Sequence, residues 1–519
     1  MKTFHNPVLR GFHPDPSCCR KGNDYYLVTS TFEYFPAVPV FHSTDLVTWK
    51  QIGHCVSDPS YLDLNGCPAG KGIYAPTIRY READDMFYMV TTLCQNDNYY
   101  DNINFYVRAK DPAGPWSKPI VVKGARGIDP TLVFDKEKCY YLGNRRFEPA
   151  RSNDSRRKIW IAELDIETGE LIGEKRILLE DGAVHGARCP EGPHIYHFND
   201  YYYLLISEGG TTHNHALSVF RSRDILGPYE INPRNPILTH RMMARGSEFN
   251  SIGHADILQA PDGSFWGFCL GVRPYGEPML RNLGRESFVF PIIWEDDWPV
   301  FCPETGRVEK EYPLPYDDGK IRSIESTFTD FSSPELENWW QLLRTPERKI
   351  YELTDNGLRL FINQYTLSDN YASAFLGIRQ REKYFIAETA FEFSPASENE
   401  NAGMIVLLNG QNNYSLMKST RNGQEKLILR FADEILYEEP CPAGVLRVRL
   451  SASTLDYWYE IKENGKWRGF GPVLDGHRLS KLQYGFTGVL IGLFGTSYGK
   501  ESSSSALYRY FSYTDREEL

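Results

Sequence analysis

The sequence predicts an all-β chain: a five-bladed β-propeller over residues 1–315, then a β-sandwich over 325–519. Three observations carry this. A short grammar recurs five times, each time a leading residue at a Pro-, Gly- or His-bearing turn followed by an aromatic strand. The leading residues are Asp15, Ala75, Asp129, Glu191 and His254, in steps of 60, 54, 62 and 63 residues. In each unit an aromatic (Tyr26, Tyr88, Tyr141, Tyr202, Trp266) follows 11 to 13 residues later. A repeat of this length with short strands inside it is the signature of a propeller blade.

The elements follow in order. Phe12-His13-Pro14-Asp15-Pro16-Ser17 opens the first unit, and its prolines force stiff, extended backbone around Asp15. Ala75-Pro76-Thr77-Ile78, Asp129-Pro130-Thr131-Leu132, Glu191-Gly192-Pro193-His194 and His254-Ala255-Asp256-Ile257 open the others. Alternating runs such as Asp24–Val28, Asn104–Val107 and Lys158–Ala162 predict strands. Three phrases read as turns between outer strands: Ser43-Thr44-Asp45-Leu46 with Trp49, Ala109-Lys110-Asp111-Pro112 with Trp116, and Ser222-Arg223-Asp224-Ile225 with Tyr229. The pattern breaks at Pro313–Lys320, a polar Pro/Gly linker. Short strand-like runs then continue to the end, among them Gly357–Phe361, Glu388–Phe393 and Val445–Leu450, with little helix periodicity.

Composition narrows the function. Lys and Arg total 57 against 68 Asp and Glu, a formal charge of −11, which argues against nucleic acid or an anionic membrane as partner. Met1–Pro7 carries no apolar signal region, and no run approaches the roughly 18 apolar residues of a membrane span. The ten cysteines are dispersed without a CxxC pair. Together these predict free thiols and a cytoplasmic location.

In a propeller the first strand of each blade lines the central axis, so the five leading residues converge there. Three are acidic: Asp15, Asp129 and Glu191. Taken singly, an Asp before Pro caps a turn, Glu191 before Gly192-Pro193 is a turn residue and His254 is a core histidine. All four in phase with one repeat instead predict a catalytic pocket. Three crowded carboxyls must raise at least one pKa. A glycoside hydrolase needs that arrangement, with one carboxylate as base toward water and one carboxylic acid to protonate the leaving oxygen.

The words Asn6–Ser17, Thr31–Pro36, Gly127-Ile128-Asp129-Pro130, Pro190–His194 and Asn282-Leu283-Gly284-Arg285-Glu286 resemble glycoside hydrolase family 43, specifically its two-domain β-xylosidases and α-L-arabinofuranosidases. The resemblance spans nearly the whole chain. It implies an inverting, single-displacement hydrolase with Asp15 as general base, Glu191 as general acid and Asp129 as the carboxylate that tunes and orients Glu191. Inversion implies base and acid roughly 6.5–9.5 Å apart. The resemblance also implies that Arg285 contacts substrate hydroxyls, the other reading of Arg285 being an ion pair with Glu286. Phe32 and Tyr74 would wall the sugar subsite. His254 would stand in the pocket beside a calcium ion held mostly by water, a structural ion in some members, with no cofactor required for the reaction.

Two departures bear on the sugar. Tyr74 stands where many β-xylosidases have Trp, and Gly143-Asn144-Arg145 looks closer to the arabinofuranosidase branch. The expected substrates are therefore short oligosaccharides ending in β-D-xylosyl or α-L-arabinofuranosyl groups. The sandwich is expected to narrow the pocket with a loop, with Gly495-Thr496-Ser497-Tyr498-Gly499 as the candidate, and related enzymes are often homo-oligomers. Two rival readings are a catalytically inactive carbohydrate-binding propeller and a retaining, fructosidase-type five-bladed enzyme. The intact trio opposes the first. His13-Pro14-Asp15-Pro16-Ser17 does not match the Asn-Asp-Pro-Asn-like word of the second.

Overall fold

The computed structural model describes residues 3–98, 101–146, 156–276, 279–314, 326–480 and 485–516. Five antiparallel sheets follow one another along the chain, each ordered by sequence from the axis outward. The first blade comprises Ser17–Lys21, Asp24–Val28, Ala37–Ser43 and Lys50–Val56. The innermost strands of the next four are Gly72–Arg81, Thr131–Asp135, Glu191–Phe198 and Asn250–Gln259. Each inner strand thus begins at, just before or just after a leading residue read from the repeat. Among the described residues the only helices are short 3-10 turns.

The predicted outer turns are stapled alike in three blades. Trp49 Nε1 donates to Leu46 O, Trp116 Nε1 to Pro112 O and the Tyr229 hydroxyl to Ile225 O. The aromatic after each phrase therefore satisfies a turn carbonyl that has no ladder partner. The ring closes outside the blades, where Thr3–His5 pairs antiparallel with Glu311–Pro313. The Asn6 side chain, gripping Val289 on both backbone groups and Glu309 O, locks that seam.

Two eight-stranded antiparallel sheets form the second unit. They face each other across a core that includes Leu358, Leu360, Met404, Leu450, Tyr459 and Phe511. In one sheet Leu446–Ser453 begins buried, exposed, buried, as a half-buried strand does, whereas Ala374–Arg379 and Leu490–Thr496 of the other sheet are buried throughout. The predicted linker from Pro315 onward, and the proposed boundaries at 315 and 325, lie outside the described residues.

The two units share a sheet. Tyr34–Phe35, from the loop between the second and third strands of the first blade, forms the edge strand of one sandwich sheet, pairing Phe35 with Leu342 and Tyr34 with Leu343. Arg344 N then donates to Glu33 O at 2.8 Å. Beneath this seam Phe12, Phe32 and Tyr34 pack with Leu343, Phe375, Ile405 and Phe494. The sequence suggested two bodies joined by a linker, and the structure adds a hydrogen-bonded and apolar weld between them.

Candidate active site

The five inner strands deliver their leading residues to one cavity of about 280 Å³, lined by Asp15, Ala75, Asp129, Glu191 and His254 among others. That is just below the range of about 300–1,000 Å³ usual for ligand pockets. It suits one or two sugar units rather than a long polymer.

The backbone there is unusual in a repeated way. Asp15, Ala75, Asp129 and His254 have φ of 55°, 33°, 56° and 49°. Left-handed backbone costs a non-glycine residue on the order of 1 kcal/mol or more. In the fourth blade the left-handed residue is Gly192, at φ 57°, one position after Glu191. This corrects the repeat: the true counterpart of Asp15 and Asp129 is Gly192, and Glu191 is displaced by one residue. A Cβ at Gly192 would come within 3.1 Å of the His254 ring, which is why the equivalent position carries no side chain.

Asp15 is buried and fully engaged. Ser30 Oγ donates to its Oδ2 at 2.7 Å and Arg285 Nη1 to its Oδ1 at 3.0 Å. His254 Nδ1 stands 3.7 Å from the same oxygen. Burial works to raise the Asp15 pKa, but Arg285, His254 and Ser30 together hold it below the ordinary value. Ser30 Oγ also accepts from Ala75 N at 2.7 Å, tying the second blade to the first at this point. His215 stands behind them; burial above all pushes it down to about 3, so it is neutral.

Across the pocket the chemistry reverses. Burial first, and then the charge of Glu191, push the Asp129 carboxyl up to about 7. Gly192 N donates to Asp129 Oδ2 at 3.2 Å, and Arg157 Nη1 donates to Glu191 Oε2 at 2.5 Å. Asp129 therefore holds a proton up to near neutral pH. The sequence expectation of a raised pKa among three crowded carboxyls is met here, on Asp129.

One wall of the cavity is aromatic. Phe32 and Tyr74 lie 4.8 Å apart between ring centroids. Phe486, from the sandwich, stacks on Phe32 at 5.7 Å and 8°. The Arg285 guanidinium lies 5.4 Å from both the Phe32 and Phe486 rings, and its Nε donates to Phe486 O at 3.2 Å. Its Nη2 is buried without a hydrogen-bond partner, a donor left for a ligand oxygen.

Several site features were not legible beforehand. Arg285 does not pair with Glu286: Glu286 is fully buried and takes a bidentate pair from Arg273. The sandwich residues reaching the pocket are Gly485 and Phe486, not Gly495–Gly499. Gly495 and Thr496 end the strand Leu490–Thr496, and the turn after them is pinned elsewhere, Ser497 N on Asn363 O and Gly499 N on Gln364 O. Ser30, Arg157 and Phe486 were missed. Only Ser30, one residue from Thr31-Phe32, lay near a quoted motif. Among the described residues no three His, Cys, Asp or Glu side chains converge to ligate a metal.

Comparison with known proteins agrees with this geometry. The model for glycosyl hydrolases family 43 matches residues 4–299, and that for the beta xylosidase C-terminal Concanavalin A-like domain matches residues 329–514. A non-reducing end alpha-L-arabinofuranosidase of Bacteroides ovatus is 37% identical over 99% of this chain and 95% of its own. A xylosidase/arabinosidase of Butyrivibrio fibrisolvens is 37% identical over 98% and 99%. The solved structure of Bacteroides ovatus Xyloglucan PUL GH43B superposes with a TM-score of 0.89 at 36% identity, covering 99% of this chain and all of that one.

Proposed function

The chain belongs to glycosyl hydrolase family 43, and on that premise we propose that it is an exo-acting, inverting hydrolase that removes terminal β-D-xylosyl or α-L-arabinofuranosyl groups from short oligosaccharides. The observation that carries the reading is the contrast inside one pocket: a carboxylate held charged at Asp15, and a carboxyl held protonated to about 7 at Asp129, beside Glu191.

In this reading Asp15, charged and fixed by Ser30 and Arg285, takes a proton from the water that attacks the anomeric carbon. Glu191 gives a proton to the leaving oxygen. Asp129, holding its own proton to about pH 7, stands beside Glu191 and, by accepting from Gly192 N, fixes the turn that carries Glu191. Departure of the leaving alcohol and attack by water occur on opposite faces, so the anomeric centre inverts. The partly exposed Tyr74 and the Phe32–Phe486 stack offer apolar faces to the sugar's C–H surface. Arg285 Nη2 is the donor for a ring hydroxyl.

A calcium ion beside His254 fits only as a hydrated one, because no ligand set of three acidic, His or Cys side chains stands there. Its charge would reinforce the ionised state of Asp15. A cytoplasmic role on imported oligosaccharides belongs to the same reading and is consistent with ten free cysteines. We take the units as residues 1–315 and 325–519.

The test is initial rates on paired aryl β-D-xylopyranoside and aryl α-L-arabinofuranoside, with xylobiose alongside and the product anomer followed by NMR. Hydrolysis of either glycoside with inversion is expected. Retention of configuration would support the fructosidase-type alternative, and no turnover would support the inactive binding propeller. Xylobiose cleavage separates a xylosidase from an arabinofuranosidase.

A further inference from the structure

Directly below the ring of pocket residues lies a second polar ring that the reaction does not use. It consists of Ser17, Thr77, Thr131, His194 and Asp256, one from each blade, all buried. Asp15 to Ser17, Ala75 to Thr77, Asp129 to Thr131 and His254 to Asp256 are each two residues apart, the first of each pair being the left-handed residue. Hydrogen bonds that join the second ring from blade to blade place it at the axis. Glu191 to His194 is three, and the pairing of that strand shifts between those two residues.

The second ring is continuous across all five blades. Asp256 accepts from Ser17 Oγ at 2.6 Å, from Cys18 N at 3.1 Å and from the Tyr196 hydroxyl. Arg79, on the second blade's inner strand, grips both Asp256 oxygens at 2.7 and 3.2 Å. The same guanidinium reaches Ser17 Oγ at 3.2 Å and His194 Nδ1 at 3.0 Å. Thr131 Oγ1 meets His194 Nδ1 at 2.8 Å and Thr77 Oγ1 at 3.3 Å. Thr77 Oγ1 donates to Pro130 O at 2.8 Å, inside the turn that carries Asp129. Arginine is donor-only, so His194 must be neutral with its Nδ1 lone pair turned to Arg79.

We propose that this lower ring, centred on the Arg79–Asp256 pair, is the positioning layer of the catalytic site, fixing the axial height and mutual spacing of Asp15, Asp129 and Glu191. Left-handed backbone at non-glycine residues persists only where the surroundings over-determine it. The lower ring supplies that constraint two residues below each strained position. It also explains why one half-buried guanidinium at the axis makes bonds to three other blades: a closed channel needs only apolar filler, whereas a fixed register needs directional ties. A displacement of about 1 Å at reacting groups costs on the order of a hundredfold in rate, so such ties act on turnover more than on binding. The inference rests on the reading of the axial pocket as the catalytic site.

The experiment compares wild type with Asp256→Asn, Thr131→Val and Thr131→Ser. Near-UV circular dichroism selects folded protein, and kcat and KM are measured on an aryl pentoside. Thr131→Val changes no charge and decides the matter if Asp256→Asn unfolds. The expected result is a kcat about tenfold lower or more for Thr131→Val with KM within about threefold, and recovery of kcat in Thr131→Ser, which keeps the hydroxyl. Folded Thr131→Val with wild-type kcat and only a lower Tm would overturn the proposal and leave the ring a structural plug. An inactive wild type would instead bring down the reading of the pocket itself, and the positioning layer with it.

Discussion

Asp15 and Asp129 occupy the same place in the first and third blades. Each precedes a proline, each is buried, and their φ angles are 55° and 56°. Yet the Asp15 corner holds its carboxyl charged and the Asp129 corner holds its carboxyl protonated to about 7. The difference lies wholly in the neighbours. Asp15 faces Arg285, His254 and Ser30, while Asp129 faces another carboxyl across an amide hydrogen bond. Repetition supplies the geometry and the neighbours supply the electrostatics, so one duplicated position yields a charged carboxylate in one blade and a protonated carboxyl in another.

The comparison can be broken at four points. The largest effect is expected from Asp15→Ala, which removes the charged corner: kcat should fall by about 10³-fold or more on every substrate, activated or not, in steady-state assays. Glu191→Ala should cost about 10²–10⁴-fold on xylobiose but about tenfold or less on an aryl glycoside whose leaving group needs no proton. Equal losses on both would remove Glu191 from the role of acid.

Subtler are the pH effects. Arg285 lowers the Asp15 pKa against the opposing pull of burial. Arg285→Gln removes the largest influence that opposes burial, so the Asp15 pKa must rise and the acid limb of kcat/KM should move to higher pH. The alkaline limb of the wild type should fall as pH passes about 7, where Asp129 gives up its proton. Smallest is Phe486→Ala. Losing the stack on Phe32 should raise KM by roughly 2- to 12-fold, the equivalent of about 0.5–1.5 kcal/mol for an aromatic pair, with kcat little changed.

Much of this was readable in the chain because propellers repeat. Asp15, Asp129 and His254 announce themselves by phase, and the aromatic strands behind them fix the blade count. Glu191 was found for a partly wrong reason. Its carboxyl reaches the pocket from one residue before the repeated position, and the residue truly in phase, Gly192, has no side chain to betray it. Phe486 acts from more than two hundred residues beyond the propeller's last leading residue, with no local pattern marking it. Gly495–Gly499 drew notice because its glycines look like a loop, but its amides are already spent on Asn363 and Gln364. Arg157 begins a strand whose sequence reads simply as Lys158–Ala162, and pairing with Glu191 is a tertiary fact.

The edge strand Tyr34–Phe35 has a consequence for how the molecule comes apart. Seven strands of a sandwich sheet come from the second unit and the eighth from the first blade, so the second unit does not hold the whole of that sheet. Cutting the chain at its linker would leave Gln341–Leu343 as an open edge, a row of unpaired amides ready to recruit another chain. The same cut would take Phe486 from above the sugar pocket. Unfolding of the intact protein should therefore be one cooperative event rather than two, and a chimera that borrows the sandwich must borrow residues 33–36 with it.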